Sequence, residues 1–167
     1  MSRGDINRAL RISTDGTTFV GNAFVKHPDI KFKTEGDENS FIAVEEILGL
    51  EAMTAELSFT TYAKKVAEQV GICNGNLASF VCGGSFEDEN CVPTSIKCLI
   101  EGKIVSAPGG WEQKATGKVD TKVSIAVHHY RLEIGGKVVY DIDRDGDKMV
   151  VNGTDQMLIH RLNSGYV

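Results

Sequence analysis

Strict alternation of apolar and polar positions dominates the chain and predicts strands. In "TSIKCLIEGKIVS" the apolar residues Ile96, Cys98, Ile100 and Ile104 share one parity, while Lys97, Glu101 and Lys103 share the other. A strand of this pattern buries one face and wets the other. In "KVDTKVSIAVHHYRLEI" the apolar parity runs through Val119, Val123, Ile125 and Val127, then changes to Tyr130, Leu132 and Ile134. Such a change inside one strand predicts a bulge near His128 and His129. Nearer the N-terminus, "ALRIST" and "TTFVGNAF" flank Asp15-Gly16, a dipeptide favoured in two-residue hairpin turns, which would set Ile12 opposite Phe19. His27-Pro28 interrupts pairing, and "DIKFKTEGDENSFIAVEEILGLEAMTAELSFT" then reads as strand, polar loop, short apolar stretch and strand.

One helical pattern stands out. In "TTYAKKVAEQVGI", Ala63, Val66, Ala67 and Val70 recur at helical spacing against a polar face of Lys64, Lys65, Glu68 and Gln69. Thr61 is placed to cap its start and Gly71 its end, and so short a helix must dock on a sheet. The "EIGGKVV" hairpin can turn in two ways. A three-residue Gly135-Gly136-Lys137 loop pairs Ile134 with Val138, Leu132 with Tyr140 and Tyr130 with Ile142, and is preferred because it keeps apolar residues on one face. The tail "GTDQMLIHRLNSGYV" predicts a short helix from Thr154 or Asp155 to Leu162, ending near Gly165. The expected architecture is mainly β, a β-sandwich or half-barrel of two antiparallel sheets with one docked helix and a short C-terminal helix.

At 167 residues the chain fits one domain, 1–167, with an extended loop at about 34–52. No apolar run approaches the roughly 20 residues that span a bilayer, and the N-terminus lacks an apolar leader, so folding in a cytoplasm and no membrane contact are expected. The net charge is −5 without a lysine or arginine cluster, which argues against a phosphate-gripping groove. Between Thr34 and Thr61 there are seven acidic residues and no basic one, the pattern of a solvated face, an exposed loop or a partner-facing surface. Cys73, Cys82, Cys91 and Cys98 are spaced by 9, 9 and 7 residues, without the paired spacing of a zinc site, and are expected as reduced thiols.

Candidate chemistry is sparse. "DIDRDGDK", Asp141 to Lys148, has the alternating carboxylates of a calcium loop, but Asn152 stands where the twelfth-position glutamate belongs. A charged turn is the better reading. His128 and His129 are neighbours on a strand and point apart, while His27 and His160 lack a spaced partner. No nucleophile elbow, phosphate loop or dinucleotide fingerprint is present. Trp111, after Gly109-Gly110, is a hairpin anchor or a binding aromatic. No catalytic residue, cofactor or metal is expected.

The order of these segments resembles the major tail tube protein of contractile-tailed bacteriophages over nearly the whole chain. The opening hairpin "INRALRISTDGTTFVGNAFVKHPDIKFKTE", with its Pro28-x-Ile30 element, looks like that family's start, and "AELSFTTYAKKVAEQVGI" like its middle. The most specific part is "IEGKIVSAPGGWEQKATGKVDTKVSIAVHHYRLEIGGKVVYDID": a long strand, Gly-x-Trp, a Lys/Gly turn, Thr-Lys, a tyrosine-bearing strand, a hairpin and an Asp-Ile-Asp end. "NGTDQMLIHRLNSG" is similar to the closing turn and helix.

The resemblance implies a structural virion protein whose hexameric rings stack into the inner tube of a contractile tail, with strands of six subunits forming a continuous β-barrel. It implies as partners further copies of the chain, a tail sheath protein, baseplate or initiator and tail terminator proteins, a tape measure protein in the lumen, and double-stranded DNA in transit without specific binding. Against that background, Glu35, Asp37, Glu38, Phe41, Ile42, Glu45, Glu46, Ile47 and Leu48 are candidates for ring stacking, since "FIAVEEILGL" would be an awkward exposed patch on a monomer. Lys97, Glu101, Lys103, Lys122 and Ser124 are candidates for facing the lumen. The tube of a phage-tail-like bacteriocin or of a type VI secretion-like machine shares the architecture. A monomeric ligand-binding β-barrel is the alternative of a different class.

Overall fold

The computed structural model describes residues 6–14, 17–20, 23–36, 45–59, 64–71, 77–106 and 121–165. In chain order these form β1 (Ile6–Thr14), β2 (Thr17–Val20), β3 (Ala23–Lys26), β4 (Phe32–Gly36), β5 (Glu45–Leu50), β6 (Thr54–Phe59), α1 (Lys64–Ala67), β7 (Ala78–Glu87), β8 (Pro93–Ser106), β9 (Thr121–Ile134), β10 (Lys137–Asp143), β11 (Lys148–Val151), β12 (Thr154–Asp155) and α2 (Leu158–Asn163). A ten-stranded antiparallel sheet runs β12-β11-β10-β9-β8-β7-β1-β2, with β6 paired to β9 and β3 to β6. The sheet curls far enough to bring β3 against β1, giving a half-barrel wall around one core. A second, two-stranded sheet is formed by β4 and β5.

Strand β9 organises the wall. Along one edge its first half pairs with β6, from Phe59↔Thr121 to Thr54↔Ala126, and its second half with β10, from Asp143↔His129 onward. Where the two partners diverge, the Val127 N–H donates to the Met53 carbonyl and the His128 carbonyl accepts from the Arg144 N–H. On the other edge the β8 register jumps from Glu101↔His129 to Gly102↔Val127, leaving His128 as the extra residue. The parity change read from the sequence is this bulge. The β1–β2 register likewise sets Ile12 opposite Phe19, with the turn residues Asp15 and Gly16 outside the described residues.

The predicted faces hold except at Ile134, which is exposed, and Val119 lies outside the described residues. Cys98, Ile100 and Ile104 of β8 and Val123, Ile125, Val127 and Tyr130 of β9 are buried together with Ile12, Ala55, Leu57, Phe80 and Ile142. Burying a Leu, Ile or Phe side chain stabilises by about 1.5–3 kcal/mol each. These residues are the driving force for the curl.

Three expectations are corrected. First, β9 and β10 are joined by a two-residue Gly135-Gly136 turn, with Ile134↔Lys137 and Glu133↔Val138, not by a three-residue loop. Both glycines have positive φ, 58° and 79°, which suits a hairpin turn that a residue with Cβ resists. A bulge between Val138 and Tyr140 then restores the apolar face, giving Leu132↔Tyr140 and Tyr130↔Ile142 as expected, but not Ile134↔Val138. Second, the helix expected over 61–71 is, among the described residues, the single turn of α1. Of its apolar stripe, Val66 is buried and Ala67 and Val70 are exposed, while Thr61 and Ala63 lie outside the described residues. Docking is completed by Gln69, whose side-chain amide donates to the buried Thr14 hydroxyl at 3.4 Å, while that hydroxyl donates to the Ser79 carbonyl at 2.9 Å. Third, Thr154 and Asp155 form the short strand β12 against β11, so the final helix starts at Leu158. The Asp155 carboxylate accepts the Met157 N–H at 3.1 Å, turning the chain from strand into helix, and Gly165 follows with φ 80°.

Candidate assembly and channel surfaces

The outer face of the wall is polar and charged. Lys97, Glu101 and Lys103 on β8, with Lys122 and Ser124 on β9, all lie opposite the core residues of their strands, so the five lumen candidates share one face. The register places Lys97 across from Glu133, and Lys122 and Ser124 across from Ser58 and Glu56 of β6.

A hydrogen-bonded chain of side chains crosses this face over five strands. From β7, the Ser79 hydroxyl donates to Glu101 Oε1 at 3.3 Å. Glu101 Oε2 lies 3.1 Å from His129 Nδ1, and His129 Nε2 lies 2.7 Å from Asp141 Oδ1. The other Asp141 oxygen accepts from Lys148 Nζ of β11 at 2.8 Å. A neutral imidazole can donate from only one nitrogen, so two carboxylate partners call for imidazolium. Burial opposes that charge, but the hydrogen bonds to Asp141 and Glu101 outweigh it and hold the His129 pKa above the ordinary histidine value. Asp141 is pushed up by burial and pulled further down by Lys148 and His129, for a net pKa below the usual aspartate range.

Sequence reasoning placed Glu101 on this face but missed His129, Asp141 and Lys148 as its partners. The bulge makes the difference: His128 turns aside to Asp145, 3.3 Å away, leaving His129 in line with Glu101 and Asp141. The aspartate-rich turn is a charged turn, in which Asp143 Oδ1 accepts the N–H groups of Asp145 and Gly146. Among the described residues no group of three or more His, Cys, Asp and Glu is arranged to hold a metal ion. A groove of about 550 Å³ at the base of the β4–β5 hairpin is lined by residues including Met53, His128, Arg144 and Met149, with no serine, threonine or cysteine.

The β4–β5 hairpin carries the stacking candidates. The Glu51 N–H donates to the Lys31 carbonyl at 2.7 Å and closes its base. Glu35 stands directly across from Glu46, and Gly36 across from Glu45. Like charges in that position destabilise a lone hairpin. Beside them Ile47 and Leu48 are 64% and 63% exposed. Asp37, Glu38, Phe41 and Ile42 lie outside the described residues, as does Trp111. A second exposed apolar set, Leu158, Ile159 and Leu162, occupies α2, none of whose residues is buried. No helix among the described residues is long and apolar enough to cross a membrane.

A curled antiparallel wall with one packed and one charged face, carrying unpartnered apolar patches on a hairpin and a terminal helix, defines a structural β-protein built for assembly. The chain belongs to a family of that class: residues 6–165 match the family described as phage tail tube protein FII. No curated protein sequence matches it. Among solved structures it is similar to a chain from the extended-state sheath–tube complex of an extracellular contractile injection system, PVC. The TM-score is 0.55 at 7% identity, covering 75% of this chain and 88% of that one. At that identity the likeness carries the fold alone. The family makes this protein a structural component of a phage tail tube, and so of the virion tail, and the fold agrees with that assignment.

Proposed function

We propose that the chain forms hexameric rings that stack into the inner tube of a contractile phage tail, and that DNA leaves the particle through its lumen. The single observation that carries this reading is the two-faced wall. An apolar core closes one side, while the charged side bearing Lys97, Glu101, Lys103, Lys122 and Ser124 is continuous across β8 and β9. Facing the lumen, that side presents acids and bases interleaved rather than a basic stripe. DNA affinity comes chiefly from phosphate neutralisation, so such a lining holds the duplex weakly and lets it slide. Joining the walls of six subunits into one barrel also removes the free edges at β2 and β12.

In this reading the β4–β5 hairpin, with Glu35, Glu45, Glu46, Ile47 and Leu48, contacts the next ring. A sheath protein surrounds the tube, baseplate and terminator proteins close its ends, and a tape measure protein occupies the lumen during assembly in the host cytoplasm. Assembly is tested by negative-stain electron microscopy of the purified chain, with its mass in solution from light scattering. Six-fold rings or hollow stacked tubes are expected. A chain that stays monomeric at high concentration, and that also fails to extend fragments of existing tubes, would overturn the proposal.

A further inference from the structure

The inner side of the wall holds a feature that tube building does not use. Cys82 of β7 and Cys98 of β8 are direct partners across the ladder, both free and both buried. Cys82, Cys98 and His27 line one small cavity. The Tyr130 hydroxyl, 3.3 Å from His27 Nδ1, steadies the ring. A buried cysteine is more often a small apolar filler than a reactive group. What distinguishes this pair is a base and a way in. His27 is exposed at the seam where β3 meets β1, and no strand ladder closes that seam among the described residues. That cavity, of about 90 Å³, is also lined by Asn7, Leu10, Val25 and Phe86. A water takes roughly 30 Å³ of liquid volume, so the cavity admits a molecule the size of hydrogen peroxide and excludes a peptide-sized disulfide.

We propose that Cys82 and Cys98 are a peroxide-reactive thiol pair, with Cys98 the attacking sulfur, His27 its base and Cys82 the resolving thiol, whose product is a disulfide stapling β7 to β8. His27 takes the Cys98 proton, and the thiolate attacks one oxygen of hydrogen peroxide. A sulfur–oxygen bond forms, the oxygen–oxygen bond breaks, and the departing hydroxide leaves as water with the proton from His27. Cys98 is then a sulfenic acid. The Cys82 sulfur attacks it, the sulfur–sulfur bond forms, the sulfur–oxygen bond breaks, and the hydroxide leaves as water with the Cys82 proton. Two thiols lose two electrons and two protons, and one peroxide becomes two waters. Contact with both Cys82 and His27 favours the Cys98 thiolate over its ordinary value, against the opposing effect of burial.

Peroxide treatment of the folded full-length protein, followed by alkylation under denaturing conditions and peptide mapping of all four cysteines, tests this. The expected product is a Cys82–Cys98 cross-linked peptide, lighter by two hydrogen atoms, with the exposed Cys91 still alkylatable. Cys82→Ser is expected to stop at a Cys98 sulfenic acid that dimedone traps. His27→Gln, with a circular dichroism spectrum matching the wild type, is expected to slow cross-linking by about tenfold or more, the loss of a positioned base. The mapping of the unmodified sequence stands without any variant. Oxidation of Cys91 while Cys82 and Cys98 stay alkylatable would overturn the proposal, as would cross-linking at an unchanged rate in a folded His27→Gln protein.

Discussion

Gly102 packs so closely on the carbonyl of Ala126 that a Cβ at this position would overlap the oxygen and press on the Ile125 side chain. The contact exists because β8 and β9 shift register there to accommodate His128. A glycine inside an otherwise regular strand is the sequence mark of such a close approach. Gly102→Ala is therefore expected to destabilise the wall by about 3 kcal/mol, the upper range for overpacking. Gly83, in the neighbouring β7, has open space around it, and Gly83→Ala is expected to be neutral or to stabilise by about 0.5 kcal/mol. Denaturant unfolding of the two variants under matched conditions checks both values. Equal midpoints would remove the bulge from the account.

The Glu101–His129–Asp141–Lys148 chain predicts a stability maximum on the acid side of neutrality. His129 has a folded pKa above its unfolded value, so its contribution is complete below about 6.5 and is lost as pH rises through the folded value. Asp141 has a folded pKa below its unfolded value, so its contribution is present above about 3.9 and is lost as pH falls through the folded value. Between those limits both act. His27 shifts in the same direction as His129, so the wild type must be compared with His129→Gln, in which His27 is retained. The variant is expected to lose less stability than the wild type as pH rises from 6 to 9, with Asp141 still held by Lys148. Thermal midpoints of both proteins across that range read the difference, and parallel curves would contradict the imidazolium assignment.

What the sequence made legible was whatever repeats within one element. The two-faced character of β8, the Ile12–Phe19 pair and the β9 bulge all follow from parity along a few residues. The extent of α1 did not, because Ala67 and Val70 suit a helix stripe but are exposed, and among the described residues only Val66 and Gln69 of this segment dock. The polar chain was hidden for another reason. Glu101 and Asp141 reach His129 from 28 and 12 residues away, and only the completed register, offset by His128, brings them together. The Gly135-Gly136 turn failed in a third way. Counting loop residues could not distinguish a longer loop from a short loop followed by a bulge, since both yield Leu132↔Tyr140.

That turn makes its own prediction. Gly136 has a φ of 79° and open space where a Cβ would sit, so a methyl group there meets backbone strain rather than a clash. Gly136→Ala is expected to cost about 1–2 kcal/mol, the penalty for a left-handed residue bearing Cβ. Gly135→Asn should cost far less, because Asn tolerates the first position of this turn type. Urea midpoints for the two variants give the comparison; similar losses at both sites would favour a longer, more permissive loop.

The β4–β5 hairpin separates folding from assembly. Ile47 and Leu48 are each more than 60% exposed, so replacing either by aspartate removes little buried area from the monomer. Surface changes of this kind usually alter stability by about 0.5 kcal/mol or less. In a ring-stacking interface the same change places a charge in an apolar contact, beside Glu45 and Glu46 that already carry like charge. Ile47→Asp and Leu48→Asp are therefore expected to leave the melting midpoint nearly unchanged and to abolish stacked tubes. Scanning calorimetry reads the first and electron microscopy with sedimentation the second. Glu46→Lys gives the complementary reading: it relieves the repulsion with Glu35 and is expected to firm the isolated hairpin by about 0.2–1 kcal/mol. If the acidic hairpin contacts a partner through its charge, that firmer hairpin should nonetheless stack less well. Tubes of normal length and number from all three variants would place the interface elsewhere on the subunit.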